Sequence, residues 1–302
     1  MPVAPLPRRA VDGVLLLDKP SGITSNAALQ TARRLLAARK AGHTGTLDPM
    51  ASGLLPLTFG EATKFSHMLL EADKTYEAGV KLGIQTDTGD AEGTVLSVQP
   101  VAVDETRLCT ALARFTGEIE QTPPMYSALK RDGKPLYEYA RAGIEVDRPP
   151  RRVTIIELTL LAFQKDRIVL RIACSKGAYI RSLAMDIGVA LGCGAHLDAL
   201  RRTRIGDFDV SASVTLDAIE GSAPDQRDAL LAPVDTLLKS FPKLDLESAA
   251  ARLILQGQPL CPPGREGLPG DCVRLYGPDG FLGLGQWKED GRLWPKRLIS
   301  TE

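Results

Sequence analysis

The chain has 302 residues, 44 % hydrophobic and 25 % charged, enough for one large domain plus a small one and inconsistent with a disordered or fibrous chain. Lysine plus arginine equals aspartate plus glutamate at 37 each, so attraction to a polyanion would have to come from local patches and not from net charge. No apolar run is long enough for a transmembrane helix, and residues 14–17, closed by Asp18 and Lys19, are too short for a signal-peptide core.

In chain order, residues 13–17 predict a short buried strand. Asp18 to Gly22 is a turn in which Pro20 presets φ and Gly22 tolerates positive φ. Thr24 and Ser25 are candidate N-caps of a helix that carries Ala28, Leu29, Ala32, Leu35 and Leu36 on one face and should end near Lys40. Residues 42–60 are punctuated by glycine, Pro49 and Pro56, and predict a long functional loop with at most a short helix. Residues 76–82 and 94–98 read as strands around a polar loop at 85–93, and 105–115 as a helix. Residues 121–150 mix Pro, Tyr, Lys and Arg and resemble an insertion with one short helix at 136–141.

Residues 153–163 and 167–174 predict a hairpin, 178–191 an amphipathic helix, and 197–208 a strand bearing Arg201, Arg202 and Arg204. A helical segment near 228–239 ends in Ser240-Phe241-Pro242, a candidate domain boundary. Beyond it come a short helix at 247–256 and strands at 272–276, 281–287 and 293–299, a small β-barrel-like module. Hairpins alternating with helices, without a βαβ rhythm, indicate an α+β fold around a mixed or largely antiparallel sheet.

Five cysteines, Cys109, Cys174, Cys193, Cys261 and Cys272, are odd in number, widely spaced and free of any C-x-x-C pair. They read as buried thiols of a cytosolic protein, not as a disulfide framework or zinc site. Arginines cluster at Arg148, Arg151 and Arg152 and again at Arg201, Arg202 and Arg204. Tyr126, Tyr137 and Tyr139 stand among Lys130, Arg131, Lys134 and Arg141, an aromatic and cationic mixture that suits RNA contact as well as it suits simple packing.

The chemistry concentrates in Gly42-His43-Thr44-Gly45-Thr46-Leu47-Asp48-Pro49, which sets one imidazole and one carboxylate between glycines that let the chain pass close to a ligand. The spacing alone fixes no geometry; an Asx-turn aspartate and a hydrogen-bonded histidine would read the same way. No phosphate-binding G-x-x-x-x-G-K-[ST] loop, dinucleotide-binding strand–helix pair or G-x-S-x-G elbow occurs. His43, His67 and His196 show no metal-ligand spacing.

This loop resembles the catalytic loop of the TruB family of tRNA pseudouridine synthases. The resemblance runs in order through residues 13–20, Leu54-Leu55-Pro56, Gly60-Glu61-Ala62-Thr63-Lys64, Lys74-Thr75-Tyr76 and Thr86-Asp87-Thr88. It continues through residues 124–130, 136–141, 174–183 and 192–197, then Leu200-Arg201-Arg202 and residues 291–298. It implies a pseudouridine-synthase fold over residues 1–240, with 124–152 as an RNA-binding insertion, and a PUA-like domain over 241–302. It further implies a cytoplasmic enzyme, a monomer without an obligate protein partner, that isomerises uridine 55 in the TΨC arm of tRNA to pseudouridine after flipping the base. The isomerisation requires neither organic cofactor nor metal.

On the matched positions, Asp48 is the family nucleophile or base at the ribose, Arg181 the arginine that holds its charged carboxylate, and Tyr76 the aromatic that stacks on the base and helps remove the C5 proton. His43 matches the residue that holds the flipped nucleotide and its displaced neighbours, and Tyr179 packs beside the pocket. Lys19, with Pro20, braces the loop or touches substrate. Lys130, Arg151 and Arg202 are expected on the RNA backbone. A non-catalytic RNA binder and a small-substrate glycosidase are the competing classes.

Overall fold

The computed structural model describes residues 7–127, 129–262 and 267–300; residues 1–6 of the N-terminal segment and Ala128 of the 124–130 motif lie outside them. The first strand, β1 (Gly13–Lys19), is buried along most of its length. Helix α1 (Ser25–Leu35) starts as expected, with Thr24 Oγ1 accepting the Ala27 N–H at 3.0 Å, and buries Ala28, Leu29, Ala32 and Leu35. It ends five residues before Lys40, because Ala37 turns left-handed at φ 50° and the chain then pairs with Arg9 through the Arg9 N–H to Ala37 and Arg39 N–H to Arg9 bonds.

Strand β2 (Ala41–His43) and strand β3 (Ser52–Phe59) overturn the expectation of irregular structure through 42–60; only the stretch between them is a loop. Pro56 falls between the β3 residues that pair with a later strand (Ser52, Gly53) and those that pair with β2 (Leu57 to Phe59), where its missing N–H is tolerated. A 3₁₀ turn and α2 (His67–Leu70) lead to β4 (Lys74–Leu82), and β5 (Ile84–Thr86) with β6 (Val95–Val98) forms a small hairpin. After α3 (Glu105–Ala113), capped by Asp104, comes β7 (Gly117–Gln121), which its single inward apolar residue, Ile119, left without a sequence signal.

The insertion holds the two-residue strands β8 (Lys130–Arg131) and β9 (Lys134–Pro135) and the expected helix α4 (Leu136–Arg141). The expected hairpin is β10 (Arg151–Gln164) and β11 (Arg167–Cys174). Helix α5 (Ile180–Leu191) stops on Gly192 in the left-handed conformation, φ 77°. Then follow β12 (Ala195–Ile205), β13 (Phe208–Asp209) and α6 (Leu216–Gly221). The helix expected near 228–239 is two 3₁₀ turns, Arg227–Leu230 and Val234–Leu238, separated where Ala232 exchanges backbone bonds with Val14 and Pro233 breaks the helix. The tail comprises β14 (Lys243–Asp245), α7 (Ser248–Leu255), β15 (Cys272–Gly277), β16 (Gly280–Trp287) and β17 (Leu293–Leu298).

The main sheet runs β1-β3-β12-β4-β11-β10-β7, with β2 and β13 paired at its side. It is antiparallel except where β12 lies parallel to β3. At that junction Gly53, at φ +100°, carries the close approach: a Cβ there would stand 2.2 Å from the Arg202 carbonyl oxygen. Helices α1, α3 and α5 pack on the sheet around the largest core cluster. The tail forms an open four-stranded sheet, β14-β15-β16-β17, with no pairing that closes it into the expected barrel among the described residues. It is not detached from the body: Val14, Leu54, Phe65 and Leu69 share one core with Cys272, Phe281 and Leu284.

Candidate active site

Helix α5 begins by delivering Arg181, almost fully buried, to the centre of a pocket of about 620 Å³ lined by His43, Asp48, Thr88, Asp90, Tyr137 and Arg181 among others. The Arg181 Nε lies 2.9 Å from Asp48 Oδ2. Nη1 donates to the Thr88 carbonyl at 3.1 Å and lies 3.6 Å from Asp90 Oδ2, and Nη2 donates to the Tyr126 carbonyl at 2.6 Å. One guanidinium thus joins the loop between β2 and β3, the β5–β6 turn and the start of the insertion, which the linear sequence keeps far apart.

The loop that presents Asp48 is itself clamped. Ser25 Oγ, in the first turn of α1, donates to the Leu47 carbonyl at 2.9 Å and accepts the Leu47 N–H at 2.8 Å. Lys19 Nζ donates to the carbonyls of Pro20 and Ile23 at 2.8 and 2.7 Å and approaches that of Pro49 at 3.4 Å. Lys19 is wholly buried, and burial lowers its ammonium to about 8. Its expected contact with substrate is therefore corrected: all its reach is spent on bracing the loop, the other role read for it from sequence.

Asp48 is ion-paired with Arg181 as expected, yet its carboxyl sits above the ordinary aspartate range. Burial raises it most, the Asp90 carboxylate adds to the rise, and Arg181 and Lys19 pull the other way without cancelling it. Asp90 is buried and held by Thr88 Oγ1 at 2.6 Å and the Glu92 N–H at 3.1 Å. Its neighbours Gly89 and Ala91 bond to Leu197 of β12. Asp90 was not among the residues singled out from sequence, because nothing in the acidic 85–93 segment marks which carboxylate turns inward.

His43 is half-buried, its Nδ1 buried without a hydrogen-bond partner, and both burial and the Arg202 charge lower its imidazolium, so the ring is neutral at neutral pH. Tyr76 lies on β4 near enough to Asp48 for that charge to act on it; burial raises its phenol, Asp48 adds to the rise, and hydrogen bonding and charge from Arg202 oppose it. Tyr179 caps α5, with its N–H donated to Gln121 Oε1 at 3.0 Å, and burial raises its phenol too.

Of the residues expected on the RNA backbone, Lys130 and Arg151 are exposed at the insertion and at the head of β10. Arg202 is not available: it is 1 % exposed, with Nε donating to the Leu54 carbonyl at 2.8 Å and Nη2 to the Gly45 carbonyl at 3.1 Å. The alternation along β12 turns it inward while Arg201 pairs with Asp18 at 2.7 Å on the other face. The thiols divide likewise: Cys174, Cys193 and Cys272 are buried, but Cys109 and Cys261 are exposed, against the expectation for all five. Among the described residues no group of three or more His, Cys, Asp or Glu is placed to hold a metal ion, and no helix is long and apolar enough to cross a membrane.

The family model for the TruB family pseudouridylate synthase N-terminal domain matches residues 33–180. Those for the tRNA pseudouridylate synthase B C-terminal domain and for the C-terminal region of pseudouridine synthase II TruB match residues 181–239 and 242–299. The chain belongs to the TruB family of pseudouridylate synthases. It is 66 % identical over 297 residues to tRNA pseudouridine synthase B of Azoarcus sp. (strain BH72), covering 98 % of both chains. It is 63 % identical to the protein of the same name from Aromatoleum aromaticum, covering 97 % of this chain and 94 % of that one. Among solved structures it is similar to a chain of an H/ACA RNP bound to a substrate RNA containing 2'-deoxyuridine, with a TM-score of 0.71, 26 % identity and coverage of 95 % and 85 %. A chain of a Cbf5-Nop10-Gar1 complex gives 0.69, 29 %, 96 % and 84 %. As a TruB-family member the chain is an isomerase that converts uridine to pseudouridine in tRNA, and its mixed sheet with a C-terminal sheet module is the family fold.

Proposed function

We propose that the chain isomerises uridine 55 in the TΨC arm of tRNA, with Asp48 as the group that acts on the ribose. The observation that carries this reading is the Asp48–Arg181 pair at 2.9 Å inside a pocket roomy enough for a nucleotide. A carboxylate fixed beside a sugar can attack C1′ as the glycosidic bond to N1 breaks, or take a ribose proton; either path needs it ionised. Uracil then turns, C5 bonds to C1′, the C5 proton leaves toward Tyr76, and N1 gains a proton, so no atom is lost or added. The target base must first leave its stack, at a cost offset by stacking and backbone contacts.

In this reading residues 1–240 carry catalysis, the 124–152 insertion lies over the RNA, and the tail from 241 is a PUA-like module contributing further tRNA contacts. The protein acts as a cytoplasmic monomer without organic cofactor. Lys130 and Arg151 are the exposed cations suited to phosphate. Charge reversal at Arg151 should weaken tRNA binding and flatten its salt dependence without moving the modified site; an unchanged salt slope in filter binding would remove it from the interface.

The deciding experiment incubates the protein with unmodified tRNA and maps pseudouridine. Modification at position 55 is expected, with an isolated T-arm stem-loop a poorer substrate; modification confined to another arm would refute the assignment. The rate should also report the carboxyl of Asp48. Because its value is raised, single-turnover rates should fall on acidification with a midpoint above the ~3.9 of a free aspartate. A limb at or below that value would show that another group controls the acid side.

A further inference from the structure

Arg202 is a buried cation without a carboxylate. Its side chain is almost wholly withdrawn from water, yet its hydrogen bonds go to the neutral carbonyls of Leu54 and Gly45. Among the described residues no carboxylate stands within ion-pair distance of it. Buried charges are ordinarily paired, because removing an ion from water costs several kcal/mol. The titratable group whose charge acts on Arg202 is the phenol of Tyr76, which stands directly opposite it in the β12–β4 register, so the two side chains share one face of the sheet. Neither side chain lines the pocket itself, but the Gly45 carbonyl that Arg202 holds belongs to the loop that carries Asp48.

We propose that Arg202 is a positioning residue for Tyr76: it supplies the positive charge that lets the buried phenol exist as phenolate when the C5 proton is removed. The proposal rests on the reading above, in which Tyr76 takes that proton. Tyr76 first gives its phenol proton to water; in the step the C5–H bond breaks, its electron pair restores the C5–C6 double bond as the C6–N1 pair moves onto N1, and the proton joins the phenolate oxygen, which ends as phenol. N1 then takes a proton from water. The proton count closes because N1 gains one proton as C5 loses one. A neutral phenol cannot accept the proton, and burial together with the Asp48 charge opposes ionisation of Tyr76, so a cation at this position is what the step lacks without Arg202. The cost of a buried, unpaired guanidinium in the resting protein is then offset at the one moment when negative charge forms beside it.

The test is ¹³Cζ-tyrosine NMR titration together with single-turnover kinetics on tRNA, with Tyr76 assigned through Tyr76→Phe. In Arg202→Met the Tyr76 inflection should rise by about one pH unit or more. The turnover rate should drop by about 100-fold, the loss typical of one removed charge-stabilising donor, while tRNA affinity holds. Arg202→Lys, which keeps the charge but not the fork, should recover part of both effects and serves if the Met variant fails to fold. A Tyr76 inflection that stays in place in Arg202→Met, a rate loss in Arg202→Lys with the Tyr76 inflection unmoved, or a loss confined to tRNA affinity would overturn the proposal. Full turnover in Tyr76→Phe would instead refute the prior reading of Tyr76, and the two failures are therefore distinguishable.

Discussion

Asp48→Asn should abolish pseudouridine formation while leaving the protein folded and able to hold tRNA. The amide keeps the size of the side chain but cannot attack C1′ or take a ribose proton, and the turnover rate should fall by roughly 10⁴-fold or more. Asp90, which also lines the pocket, cannot replace it, since its carboxylate is buried and already engaged by the Thr88 hydroxyl, the Glu92 N–H and Arg181. Affinity for tRNA should stay within roughly tenfold, because phosphate contacts are untouched. The stability change has a definite sign at neutral pH. A carboxyl raised on folding is ionised less readily in the folded state, so its charge costs stability above the folded value, and that cost fades as pH falls through it. The amide removes the cost but leaves Arg181 with Asp90 as its remaining carboxylate, so melting should shift little. Single-turnover kinetics with enzyme in excess, beside filter binding, read both numbers; turnover near the parent's would displace Asp48 from its role.

Removing the tail should unfold more than the tail. A chain ended at residue 240 loses Cys272, Phe281 and Leu284 from the core they share with Phe65, Leu69, Leu237 and Leu238, including the edge-on contact of the Phe65 and Phe281 rings at 5.9 Å. It also loses the Arg274–Asp235 ion pair at 2.9 Å and the bond from Lys64 Nζ to the Leu298 carbonyl at 3.0 Å. At about 1.5–3 kcal/mol for each large side chain fully uncovered, Phe65, Leu69, Leu237 and Leu238 together set a deficit of up to about 6–12 kcal/mol, comparable with the whole stability of many domains. Thermal melting and limited proteolysis should show a loosened, protease-sensitive body. A truncated chain that melts within a few degrees of the parent and turns over a T-arm stem-loop would show that the two sheets are independent units.

Much of the architecture was legible because apolar periodicity and turn chemistry are local. Helix α4 was placed to the residue, and α5 and the hairpin of β10 and β11 nearly so. Strand β3 was hidden because Gly53 and Pro56 carry breaker signatures, and their reason for being there is contact with β12 and with β2, which are distant or differently paired. The site divides along the same line. Asp48, His43 and Arg181 were found through ordered motifs and stand together in one pocket. Asp90 was missed, and Arg202 was given a surface role, because the inward or outward face of a residue depends on strand register that one sequence does not display.

Arg181 also sets an order of events for the chain as it folds. Its bonds to the carbonyls of Thr88 and Tyr126 span 93 and 55 residues, and its pair with Asp48 reaches back to the first quarter of the chain. Each closes a long loop whose entropy must be lost before the contact returns any energy. The helices and hairpins can form early from local sequence. The guanidinium finds its four partners only when β5, α5 and the insertion have converged. Catalytic competence is therefore the last property a refolding chain regains, and its return marks completion of the fold more sharply than any signal from secondary structure.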